Sequence, residues 1–241
     1  MTISLAAEKI PGLPITNSLL TGLAATLVIL LIFYLLTRGI RRVPRKRQNV
    51  AEWIVEAFLN LTESITGDRQ KALKLLPLGL TFFIFILVNN WLGLLPGVGS
   101  IGFREVEEGR ETFIPLLRSS NADLNTTFAL ALISVVAIQR FGIGALGIKY
   151  FKKFFNFRNP IYFGIGILEI ISEFAKIISF SFRLFGNVFA GEILLAVITG
   201  LIPFIAPLPF YGLELFVGLI QALVFTILSL VFFHMAMQQH S

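Results

Sequence analysis

Residues 161–202 form a run of forty-two mostly apolar residues with no proline among them. Their pattern fits one long helix, and at 1.5 Å per residue that helix is about 63 Å long. The hydrocarbon core of a bilayer is roughly 30 Å thick, so the segment cannot stand upright in it. It is expected either to break at Gly186, Gly191 or Gly200, or to lie beyond the usual tilt range of about 0 to 40°. A helix lying so flat needs protein on its flanks to shelter its polar groups. One of those groups is Arg183, in the stretch FRLFGNVFAGE (182–192). A guanidinium stays charged in a protein, and in hydrocarbon it costs from roughly 3 kcal/mol on insertion scales to about 10 or more on an isolated helix. Arg183 is therefore a candidate functional residue.

The rest of the composition agrees with a membrane solvent. Of 241 residues 56% are hydrophobic and only 14% charged, against about a quarter in soluble domains. The expected fold is an all-α integral membrane protein, a single membrane domain over residues 1–241. Cysteine is absent, which excludes disulfides, thiolate metal sites and cysteine nucleophiles. The N-terminal stretch MTISLAAEKIPGLP shows no small-residue cleavage site after a short apolar core, so a cleavable signal peptide is not expected.

A first span is expected at about 19–36, followed by RGIRRVPRKR with six basic residues. In QNVAEWIVEAFLNLTESIT, residues Val50, Trp53, Ile54, Ala57, Phe58, Leu61 and Ile65 recur at helical offsets. Asn49 and Glu52 suggest a capping box at the start of an amphipathic helix on the cytoplasmic surface or against the bundle. A second span follows at about 75–95, stopped by Pro96-Gly97. Residues 97–121, with Glu105, Glu107, Glu108 and Glu111, read as a solvated external loop. A third span covers about 124–139. It leads into KYFKKFFNFR, whose basic and aromatic residues suit an interfacial anchor better than a nucleic-acid surface.

Lysine and arginine set the orientation. Fourteen lie in the segments placed inside (38–74 and 140–158), four in those placed outside, and Lys176 and Arg183 lie within the membrane. This positive-inside asymmetry puts the N-terminus outside and the C-terminus in the cytoplasm. It also accounts for the net charge of +6 without a nucleic-acid partner. The last two segments, about 161–202 and 210–235, form a hairpin through an outer turn that contains Pro203, Pro207 and Pro209.

Polar residues in that hairpin form two tracks. Glu169, Ser172, Glu173, Lys176 and Ser179 precede Arg183 on the cytoplasmic side, and the seven-residue steps from Glu169 to Lys176 to Arg183 share a helical face. Asn187 lies one turn beyond the arginine near that face. Glu192, nine residues on, falls on the opposite side about 13.5 Å along the axis. In the return segment Glu214 and Gln221 share a face. One track thus enters from inside and the other from outside, with a permanent cation between them that would block a direct proton leak. Glu173 and Lys176 can alternatively pair at i,i+3.

The stretch RLFGN followed by AGE resembles the F-type ATP synthase subunit a, the membrane stator beside the rotating c-ring. IQALVFTILS around Gln221, DLNTTF at Asp123 and NNWLGLLPG in the second span resemble the same family. The resemblance implies that Arg183 faces the ring's ion-binding carboxylate, with Asn187 beside it and Gln221 packed nearby. It makes Glu192 the acid of the outer half-channel and aligns Glu169, Lys176 and Ser179 with the inner pathway. Glu214 stands where some relatives carry histidine. The implied partners are the c-ring, peripheral-stalk b subunits and membrane lipid; a bacterial plasma membrane is expected, because no organellar targeting segment is visible. No cofactor or metal is implied, and ATP chemistry falls to partner subunits because the chain has no GxxxxGK[ST] loop. The competing reading is a self-contained proton or cation transporter, which would usually show internal repeats; none is apparent. Haem ligation has only His234 and His240 to draw on.

Overall fold

A computed structural model describes residues 7–10, 15–38, 46–95, 98, 101–107, 110–154, 160–203 and 205–238. These contain six α-helices and one β-hairpin. Five of the helices are long and apolar enough to cross a membrane.

Helix α1 (Asn17–Thr37) begins at an N-cap, Thr16, whose side chain accepts from the Leu19 N–H. Only its first turns are buried. Further along, its leucines stand exposed, Leu27 at 68%. Helix α2 (Lys46–Thr66) is the amphipathic helix, with two differences from expectation. It starts at Lys46, so Asn49 lies inside the helix and is not its cap. Its packed face is also rotated: Leu59, Thr62 and Thr66 are buried, whereas Trp53 is 71% exposed. Leu59 and Phe58 pack on Ala72 and Leu76 of α3 (Arg69–Gly93). The two helices are joined by a reversal at Gly67, whose φ of +66° suits glycine, and by Asp68, which caps α3 through the Gln70 N–H.

The segment read as a solvated loop has structure. Strands β1 (Gly102–Glu107) and β2 (Arg110–Pro115) pair antiparallel, with Gly102 opposite Pro115. Beyond them Arg118, Ser119, Ser120 and Asn121 are buried, because the chain turns inward through a 3₁₀ turn before α4 (Leu124–Leu146). Asp123 caps α4. That helix runs past Arg140 to Gly147, which ends it at φ +58°. Tyr150 in the next 3₁₀ turn folds back over Gly142, where a Cβ would strike its ring, and donates to Gln139 at 2.7 Å. Most of the basic run (39–45), the end of the KYFKKFFNFR link (155–159) and the last residues (239–241) lie outside the described residues.

The long segment is one helix, α5 (Pro160–Leu201), unbroken at Gly186, Gly191 and Gly200. Of the two expected alternatives, the break does not occur. Helix α6 (Pro207–Met237) starts three residues earlier than expected, with Pro207 in the first turn, where its missing N–H costs nothing. The core lies between α3, α4, α5 and α6: Leu75, Phe82, Ile86, Leu130, Phe180, Leu184 and Phe225 are among its members. Phe225 meets Phe82 and Phe180 at ring-centroid distances of 5.5 and 5.0 Å. Ser134 and Ser229 pair at 2.9 Å between α4 and α6, and Thr127 and Ser181 at 3.2 Å between α4 and α5.

Candidate functional site

Side-chain hydrogen bonds gather the ends of several helices at one pole of this bundle. Ser18 of α1 donates to the Asp123 carboxylate at 2.9 Å, and Asn17 donates to the Pro115 carbonyl at 3.2 Å. Asn121 donates to Asn90 Oδ1 at 2.7 Å, and Asn90 in turn donates to the Gly218 carbonyl of α6 at 3.0 Å. Trp91 donates to the Leu215 carbonyl at 3.1 Å. The C-terminal end of α3 thus holds α6 at Leu215 and Gly218, between Glu214 and Gln221.

Glu192 from α5 and Glu214 from α6 line one cavity of about 20 Å³, with Asn90, Ser119, Asn187 and Gln221 around it. That volume suffices for a single water molecule. Gly191 makes room beside the cavity: a Cβ there would strike the Glu214 carboxylate. Asn187 donates to Gln221 Oε1 at 2.6 Å. Gln221 is buried, and its Nε2 has no protein partner among the described residues, which leaves a donor available beside the cavity.

Glu192 differs from expectation in one respect. It accepts from Arg118 Nε at 3.2 Å in an ion pair, a partner outside both polar tracks of the hairpin. Arg118 is 8% exposed, and its guanidinium lies 6.0 Å from the Phe189 ring. It was missed because it follows a run of glutamates that reads as solvated loop. The available signal is the uncharged stretch SSNA between Arg118 and Asp123, too polar for a span and too poor in charge for an open loop.

Arg183 does not line the cavity and lies one turn before Asn187, which does. Its Nη2 donates to Ser179 at 3.3 Å, and among the described residues it has no acidic partner. Around it on the same side are Ser172, Ser179, Gly186 and Ala190, small residues over which another helix can approach closely. Lys176 is bound to Glu173 at 3.0 Å and lies 4.7 Å from the Phe232 ring, so this i,i+3 pair forms within the first track. Glu169 is half-buried two turns before Lys176. Glu192, Glu214, Asn187 and Gln221 therefore come together, Arg183 and Ser179 adjoin each other, and Glu169 and Lys176 lie toward the start of α5. His234 bonds to Gln238 at the far end of α6.

Five apolar helices with carboxylates, amides and cations at their contacts define a multi-pass membrane protein built to handle charge within the bilayer. A family model described as ATP synthase A chain matches residues 19–234, and the chain belongs to that family. It is a proton-translocating membrane subunit of the ATP synthase complex.

Proposed function

We propose that the chain forms two offset half-channels which pass protons to and from the carboxylates of the c-ring. The observation that carries this reading is the shared cavity of Glu192 and Glu214 with Arg183 outside it, farther back along α5. Protons enter from outside through the Glu192/Glu214 cavity and load a ring carboxylate. The ring turns, and the loaded, protonated carboxyl group approaches Arg183 from the inner side. At about 4 Å and an effective dielectric near 20, the attraction between guanidinium and carboxylate is about 4 kcal/mol, enough to favour the ionised acid and release its proton inward. Ser179, Lys176 with Glu173, and Glu169 line the inner route. The small residues around Arg183 let the ring helix approach, and the family supports the ring as the partner. The driving force is about 2.3 kcal/mol per proton for each 100 mV.

The surrounding assignments follow the same reading. Peripheral-stalk b subunits and lipid cover the exposed apolar faces, that of α1 among them. The membrane is the bacterial plasma membrane, with the N-terminus outside and the C-terminus in the cytoplasm. The test is coupled ATP synthesis in vesicles. Arg183→Ala abolishes it while the complex assembles, and normal synthesis in that variant rules the reading out. Glu192→Gln with Glu214→Gln slows proton entry from the outer side.

A further inference from the structure

We propose that Arg118 is a positioning residue for Glu192, holding the acid's carboxylate at the cavity from a separate part of the chain. This rests on the reading of Glu192 as a proton relay. The contact runs from Arg118 Nε to Glu192 Oε2 at 3.2 Å, and the Ser119 backbone N–H faces the same carboxylate. The arginine is itself fixed by helices other than α5. Its backbone N–H donates to Thr21 Oγ1 of α1 at 3.1 Å. The neighbouring Ser119 donates to the Asn89 carbonyl of α3 at 3.4 Å, and Asn121 to the Ile86 carbonyl at 3.3 Å. The guanidinium also packs beside Phe189, one turn before Glu192 on α5. The orientation of the acid is thus set by α1 and α3 through segment 115–121, and not by α5 alone.

A role in stability alone does not explain this arrangement well. Two charges withdrawn from water carry a desolvation cost that the pair seldom recovers, and a well-packed apolar pair commonly does as well or better. What a fixed guanidinium does supply is direction. A glutamate on a helix has several rotamers open to it, and a cation held by two other helices selects among them. Glu214 has no such cation among the described residues; its carboxylate lies in the space left by the missing side chain of Gly191.

The test is a double-mutant cycle in the assembled ATP synthase in inverted vesicles. ATP-driven proton pumping is read per assembled complex for Arg118→Met, Arg118→Lys, Glu192→Gln and the Arg118→Met/Glu192→Gln pair. Methionine keeps length and bulk without charge, and lysine keeps the charge. Arg118→Gln is measured alongside, so that the comparison survives if the methionine variant fails to assemble. Pumping falls about tenfold in the neutral variants and recovers most of that loss with lysine; in the Glu192→Gln background the neutral variants cost nothing further. Unchanged pumping in the neutral variants, no recovery with lysine, or an equal further loss in the Glu192→Gln background each overturns the assignment. Unchanged pumping in Glu192→Gln alone overturns the relay reading of that acid, and this inference with it.

Discussion

Asn187 and Gln221 join α5 to α6 through one amide–amide hydrogen bond of 2.6 Å, one turn beyond Arg183. Gln221 is buried and Asn187 is exposed, so the bond reaches from the bundle to its surface. Replacing Gln221 by leucine keeps the volume and removes the acceptor. The expected cost in stability is about 1 kcal/mol. Coupled proton pumping per complex is expected to fall severalfold, because Asn187 loses the contact that places it beside Arg183.

Gly191 and Glu214 compete for the same space. Gly191→Ala improves intrinsic helix propensity by about 1 kcal/mol, yet its methyl group would strike the Glu214 carboxylate. The expected result is a variant that resists heat as well as the parent and pumps protons several times more slowly. Gly191→Val is expected to pump more slowly still.

Asp123 has two tasks, as the cap of α4 and as the acceptor for the Ser18 hydroxyl. Asp123→Ala removes both, with about 1 kcal/mol from the cap and a further cost from the buried hydroxyl left without its acceptor. The amount of protease-resistant chain in the membrane is expected to drop. Asp123→Asn retains the cap and is expected to recover part of that amount.

Packing and hydroxyl pairing are separable between Phe225 and Ser134. Phe225 touches Phe82 and Phe180 and is 1% exposed. Phe225→Ala is expected to cost about 3 to 5 kcal/mol and to lower the thermal midpoint in detergent markedly. Ser134→Ala removes one interhelical hydrogen bond, for which about 0.6 kcal/mol is typical in a membrane, and should shift it little.

The spans, the hairpin and the partition of polar residues along α5 were legible because hydropathy and the 3.6-residue period act locally. The pairing of Arg118 with Glu192 was not, because seventy-four residues separate them and nothing in the loop's pattern names its partner. Which side of α2 packs on the bundle was not legible for a related reason. Trp53 is its largest apolar residue, but the side that packs is the one α3 meets, and it carries Thr62 and Thr66 as well as Leu59. A tertiary contact there overrode the apolar count. The cap of α2 was misplaced because Asn49 and Glu52 have capping spacing, yet the helix starts three residues before Asn49.

The unbroken course of α5 also has a mechanical meaning. In the proposed half-channel mechanism the ring pushes back on this chain, and a hinge at Gly186 or Gly191 would let Arg183 yield with each passing carboxylate. With every turn of Pro160–Leu201 in place, load applied at Arg183 is carried along the axis to both ends of the helix. The same stiffness makes the stretch from Arg183 to Glu192 a ruler whose length is not altered by the ring's motion.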